Sequence, residues 1–201
     1  MTLRVNDTAV EGAHPGAIAH TVTSSDANYN GLTLAPVTVA ITDNDTNPVP
    51  GSIFINAGGD AYTDGLGQVW SADQFFANGW TYLTTAAIGN TTSDPLFQNE
   101  RTGGAFSYAI PVANGTYAVD LGFAELYWNA ANIRLFSVTG ESQSLLTNYD
   151  VWTDAGGQNI AIIKTFNITV TDGILNLGFV ASKDNAKVDF IRVSPIYSNP
   201  I

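Results

Sequence analysis

The chain contains no cysteine, so neither disulfides nor a thiol nucleophile enters any account of its stability or chemistry. Secreted eukaryotic domains often carry disulfides, and their absence points toward an exported bacterial protein. Positive charge is scarce: seven Lys and Arg stand against eighteen Asp and Glu, giving a net charge of −11. Such a surface repels phosphate backbones and no basic stripe offsets it, which argues against nucleic acid as a partner. Both histidines, His14 and His20, lie near the N-terminus. Residues 51–201 therefore offer no imidazole to activate a nucleophile and no His cluster for zinc. No apolar run is long enough to span a bilayer, and no GxxxxGK(S/T) loop is present to cradle phosphates. Met1 is not followed by a basic segment and an apolar core, so export would need a signal carried elsewhere in a larger parent polypeptide.

What is present is apolar enough to fold without staples, with 45% hydrophobic residues over a length of 201. Pro48, Pro50 and Gly51 mark residues 47–51 as a linker between two unlike segments. Upstream, "AIAHTVTSSDANYNG" and "LAPVTVAITDND" each hold a short β-branched run closed by Asp, Asn and Gly, predicting strands over 18–24 and 36–42. Residues 1–46 hold too few apolar side chains to make a stable domain alone.

Downstream, alternating runs predict strands over 52–57, 105–110, 116–126, 133–139, 160–171, 174–181 and 187–194. In 116–126, Tyr117, Val119, Leu121 and Phe123 share one face. Asp172-Gly173 reads as a two-residue hairpin turn. Nothing repeats with a helical period, and Ala72–Phe76 would make one turn at most. The fold class is all-β, a two-sheet antiparallel sandwich. Residues 58–104 stand apart: they are glycine-rich and aromatic, with Tyr62, Trp70, Phe75, Phe76, Trp80, Tyr82 and Phe97 but little periodicity. A loop of that length either carries function or packs over the core.

Tyr127 and Trp128 pose a sharper question. Consecutive residues of a strand point to opposite faces, so both rings serve one surface only if the strand ends before them. Rings laid at a sheet end offer flat apolar faces that match the axial C–H groups of a pyranose. Glu125, Asn129 and Asn132 are at hand to receive its hydroxyls. The plainer reading has one ring capping the core and the other exposed. Glycoside hydrolysis would require two carboxylates about 5–10 Å apart, and the odd spacing of Asp120 and Glu125 puts them on opposite faces of a strand. Asp43-Asn44-Asp45 is the hard-oxygen chemistry that Ca²⁺ prefers, but the spacing alone favours the plainer reading, a strand-ending Asx turn.

The blocks "INAGGDAYTDGLGQVWSAD" at 55–73, "DPLFQNERTGGAFSYAIPVANGTYAVDLGFAELYW" at 94–128 and "KDNAKVDFIRV" at 183–193 resemble the malectin domain over residues 52–195. The resemblance implies a jelly-roll-like sandwich whose sugar site lies on loops at one end. It implies sugar-facing roles for Tyr82, Tyr127, Trp128 and Asp184, with Glu125 either a hydroxyl acceptor or a brace for the loop. At Thr102 the animal protein has a tyrosine, so one ring is missing here. Residues 1–46 resemble the C-terminal part of a Calx-beta-like repeat of bacterial surface proteins, which favours Ca²⁺ at Asp43 and Asp45. The expectation is a non-catalytic module, extracellular or on a bacterial cell surface. It needs no cofactor, with Ca²⁺ an open candidate, and it binds a glucose-containing oligo- or polysaccharide without entering the membrane. A structural spacer or protein-binding domain of an adhesin is the alternative. Residues 196–201 are read as a tail.

Overall fold

A computed structural model describes residues 14–18, 21–32, 34–41 and 51–196. The chain divides into two compact units, Met1–Asn47 and Pro48–Ile201. In the first, β1 (His14–Ile18) pairs antiparallel with β2 (Val37–Ile41), Ile18 opposite Val37. The first strand thus precedes its expected place at 18–24. Between the two strands the chain turns at Asp26, whose Oδ1 accepts the Asn28 N–H at 2.9 Å.

The second unit holds β3 (Ile53–Asn56), β4 (Tyr62–Thr63), β5 (Val69–Trp70), β6 (Phe76–Ala77), β7 (Trp80–Leu83), β8 (Asn99–Gly103), β9 (Ala105–Pro111), β10 (Gly115–Phe123), β11 (Leu135–Gly140), β12 (Gln143–Tyr149), the helix α1 (Val151–Ala155), β13 (Ile162–Val170), β14 (Ile174–Lys183), β15 (Ala186–Val188) and β16 (Phe190–Pro195). A four-stranded sheet in the order β13-β10-β16-β3 faces a five-stranded sheet in the order β12-β11-β14-β9-β6. Alternation decides what lies between them. Val119, Leu121 and Phe123 of β10, Ile191 and Val193 of β16, and Leu175, Leu177 and Phe179 of β14 meet in one buried core. The fold is the all-β antiparallel sandwich that the alternation predicts.

Three departures from the expected pattern matter. Asp172-Gly173 is not a hairpin turn, because β13 pairs with β10 and β14 pairs with β9 and β11, so the turn carries the chain from one sheet to the other. The expected strand 187–194 is two strands, broken at Asp189, where the chain leaves the edge of β8 for the centre of the four-stranded sheet. The aromatic region 58–104 contains five short strands and a 3-10 turn at Asp94–Leu96.

That region both packs and presents rings. Trp70, Leu96 and Phe97 form a second apolar cluster with Ala124, Leu126 and Phe190 on the outer side of the four-stranded sheet. Trp70 and Phe97 each meet the Phe190 ring edge-on, at 4.9 and 5.3 Å. Gly58 explains part of the "INAGG" block. Its φ of +76° turns the chain after β3 so closely onto β8 that a Cβ would lie 2.3 Å from the Glu100 carbonyl carbon.

Candidate functional site

The third sheet of this unit, in the order β15-β8-β7, makes the floor and one wall of a cleft. Register settles which side chains reach it. Trp80 lies opposite Thr102 and Tyr82 opposite Glu100, so these four share one face of the ladder. Arg101 points the other way, donating to Asp73 at 2.7 Å and to the Asn78 carbonyl at 3.0 Å, with its guanidinium 3.3 Å from the Phe76 ring centroid. The "NER" block is therefore a buried polar strand whose alternate residues are pinned on both sides.

Tyr127 and Trp128 supply the opposite wall, and the reason is local. β10 ends at Phe123, and the chain then wraps round the Glu125 carboxylate. Glu125 Oε1 accepts the backbone N–H groups of both Tyr127 and Trp128 at 3.0 Å. Off the strand, the two rings no longer alternate. Their centroids lie 4.8 Å apart with planes at 82°, and the Tyr127 ring also meets Tyr82 edge-on at 5.9 Å. Glu125 itself is 1% exposed. Its Oε2 takes the Arg134 Nε–H at 2.7 Å, so it braces the loop and does not line the cleft.

Asp184 sits in the turn between β14 and β15 with φ of 57°, a left-handed conformation that Asp tolerates better than most residues. Its Oδ2 accepts the Trp128 indole N–H at 2.9 Å and lies 3.4 Å from Arg134 Nη1. Arg134, buried at 5% exposure, also donates to the Asn185 carbonyl at 3.0 Å. One guanidinium thus joins the brace under the rings to the loop that carries Asp184. Burial works against the Arg134 charge, but Glu100, Glu125 and Asp184 around it hold its pKa above the ordinary value.

The cleft encloses about 290 Å³ and is lined by Trp80, Tyr82, Glu100, Thr102, Tyr127, Trp128, Arg134, Asp184 and Asn185. Of the residues singled out from sequence, Tyr82, Tyr127, Trp128 and Asp184 come together here and Glu125 stands behind them. Trp80, Glu100, Arg134 and Asn185 were not anticipated. A signal for Trp80 was available, since it stands two residues before Tyr82 and so shares its face. Glu100 lies beneath, where its Oε2 is 2.5 Å from Lys187 Nζ. Lys187 is fully buried, 3.0 Å from Asp189 Oδ1, and donates to the Ala124 carbonyl. Burial pushes the Asp189 carboxyl well above the usual carboxylate range, with Lys187 opposing and Glu100 adding to the shift.

Among the described residues no cluster of three His, Asp or Glu side chains could hold a metal ion. Asp43 and Asp45 lie outside the described residues. No helix among the described residues is long and apolar enough to cross a membrane.

The malectin domain model matches residues 52–201. A probable leucine-rich-repeat receptor-like serine/threonine-protein kinase of Arabidopsis thaliana is 31% identical over 113 residues, covering 51% of this chain and 11% of the kinase. Malectin-B of Xenopus laevis is 25% identical over 153 residues, covering 73% of this chain and 55% of that protein. The chain thus spans about half the length of the frog relative and a small part of the plant one. The ANXUR1 extracellular domain from Arabidopsis thaliana superposes with a TM-score of 0.67 at 14% identity, over 80% of this chain and 56% of its own. A β-glucuronidase of Bacteroides uniformis gives 0.66 at 18%, over 85% of this chain and 21% of the enzyme. At these identities the two structures speak to fold alone. The family match begins at residue 52 and gives no support to the Calx-beta-like reading of residues 1–46. The plant and frog sequence relatives give none to a bacterial origin. Residues 52–201, and with them most of the chain, belong to the malectin domain family, a carbohydrate-binding, non-catalytic fold.

Proposed function

We propose that this chain is a non-catalytic module that binds a glucose-containing oligo- or polysaccharide in the cleft between β7 and the loop after β10, as an extracellular part of a larger polypeptide. One observation carries the reading. Trp80, Tyr82, Tyr127 and Trp128 converge on one cleft whose polar rim includes Asp184, the combination of flat apolar faces and hydroxyl acceptors that a pyranose requires. Trp80 and Tyr127 are more than half exposed, at 55 and 58%, and aromatic area held in water is retained for a partner rather than for the fold. Trp80 stands across the ladder from Thr102 and supplies a ring on the wall where that position lacks one. Against hydrolysis, the two carboxylates lining the cleft are each tied to a cation, Glu100 to Lys187 and Asp184 to Arg134.

The test is a glycan array followed by calorimetry, run in calcium and in EDTA so that a cation at Asp43 and Asp45 would register. Binding of glucosides in the micromolar to millimolar range, about −8 to −4 kcal/mol, is the expected outcome. Trp128→Ala should abolish it, since that change removes a platform ring and the donor to Asp184 together. Silence across the array from folded protein would favour a structural spacer instead.

A further inference from the structure

Resting on the sugar-binding reading, we propose that Glu100 is itself a ligand-contacting residue: its carboxylate is the hydrogen-bond acceptor at the floor of the cleft and receives a hydroxyl of the bound sugar. Glu100 lines the cleft although it is only 1% exposed. An ionised side chain so deeply buried is costly unless it is paired and hydrogen-bonded. Pairing accounts for one oxygen, Oε2, which faces Lys187 at 2.5 Å. Oε2 accepts no well-aligned hydrogen bond, and among the described residues Lys187 is the one group that engages the carboxylate. The neighbours that could have satisfied the rest are committed elsewhere. The Thr102 hydroxyl donates to the Ala186 carbonyl at 3.0 Å, and the Arg134 donors go to Glu125 and Asn185. The carboxylate therefore keeps acceptor capacity directed at the cleft, held in place by a lysine with no exposure to solvent.

The chemistry selects the ligand. The floor presents an acceptor, and the rim adds a second at Asp184, while the Trp128 indole N–H is already given to Asp184. A sugar edge must donate to be received there. Neutral hexoses with hydroxyls on that edge meet the requirement. Uronates, sulfated sugars and sugar phosphates bring a further anion against the carboxylates of Glu100 and Asp184 that line the cleft, and they are rejected.

The experiment titrates protein with maltose, cellobiose and laminaribiose, then with monodeoxy analogues of the best binder and with the same disaccharide carrying glucuronate. Glu100→Gln and Glu100→Asp are run beside Trp128→Ala, each checked for folding by a thermal melt. The aspartate keeps a charge for Lys187 while withdrawing the carboxylate from the floor. We expect both Glu100 variants to weaken binding by about 10- to 100-fold. One monodeoxy analogue should lose a similar factor on the unaltered protein, and the uronate should not bind. The deoxy and uronate series stand even if a variant does not fold. Deoxy analogues that all bind equally, a bound uronate, or folded Glu100 variants of full affinity would each overturn the assignment while leaving the sugar site intact. Full affinity in Trp128→Ala, or no saccharide binding at all, would instead overturn the cleft reading and this one with it.

Discussion

Replacing Glu125 with Gln separates a brace from a sugar contact. The side chain accepts two backbone N–H groups at 3.0 Å through one oxygen and the Arg134 guanidinium at 2.7 Å through the other. Glutamine has nearly the same shape and retains one carbonyl acceptor, so the turn under Tyr127 and Trp128 can survive. The charge cannot. Arg134 and Glu125 have side-chain exposures of 5 and 1%, and removing one member of a pair so buried costs about 3–5 kcal/mol, because the other charge is left uncompensated. Asp184, 3.4 Å from Arg134 Nη1, recovers part of that, which places the cost at the lower end, about 3 kcal/mol.

For a domain of this length each kcal/mol moves the melting temperature by about 2–4 °C, so Glu125→Gln should melt about 6–12 °C lower. Glu125→Ala, which also strands two N–H groups, should approach the total stability of an ordinary domain, about 5–15 kcal/mol. Scanning calorimetry measures the first quantity, and a saccharide titration below the melt measures the second. A Glu125→Gln protein that melts within about 2 °C of the parent yet loses sugar affinity would refute the brace and make Glu125 a contact.

Gly122→Ala would place a Cβ 2.2 Å from the Phe190 ring, and the overpacking should cost about 1–3 kcal/mol in a chemical-denaturation series, with sugar binding unchanged below the melt. Asp189 sets a pH dependence. Burial raises its pKa in the folded state, so folded protein keeps a proton that the unfolded chain releases above about pH 4. Its contribution to stability is therefore full below that pH and is lost as pH rises toward the native pKa. Asp189→Asn removes the proton exchange, and the melting temperature of the parent relative to the variant should fall as pH rises above about 4, the unfolded carboxyl's value. Parallel curves would contradict the assignment.

Much of the sandwich was legible because its strands obey a single rule. Tyr117, Val119, Leu121 and Phe123 alternate inward, and each is buried. β8 was not legible for the opposite reason. Its buried residues are Glu100, Arg101, Thr102 and Gly103, and no hydrophobic period exists where burial is achieved by ion pairs and hydrogen bonds. The helix α1 spans five residues, too few to show a period. Its local signals were nevertheless present, since Asp150 accepts the Thr153 N–H at 3.2 Å and Gly156 closes the helix with φ of 84°. Asp172-Gly173 failed as a hairpin because a turn sequence reports local curvature and says nothing about which sheet receives the next strand. The adjacent rings of Tyr127 and Trp128 did announce a strand end. That Glu125 holds them was visible in outline, but Arg134 as the tie to Asp184 depends on contacts 9 and 51 residues away in sequence.

The buried ions behind the cleft require a reason other than stability. Replacing such pairs with packed apolar residues is often neutral or favourable, yet Glu125, Arg134, Glu100 and Lys187 are all at most 5% exposed. Apolar residues could fill the same volume, but they could not direct hydrogen bonds to two particular backbone N–H groups, to the Asn185 carbonyl and to the Ala124 carbonyl at once. Those contacts fix the loop after β10 and the turn between β14 and β15, and on these stand Tyr127, Trp128 and Asp184. A recognition surface gains affinity from groups already in place, because ordering them on binding would cost about 0.5–1.5 kcal/mol per side chain. The polar layer is therefore best understood as the means by which this sandwich pre-organises its cleft, and its stability cost should be recovered only where a ligand needs those rings held still.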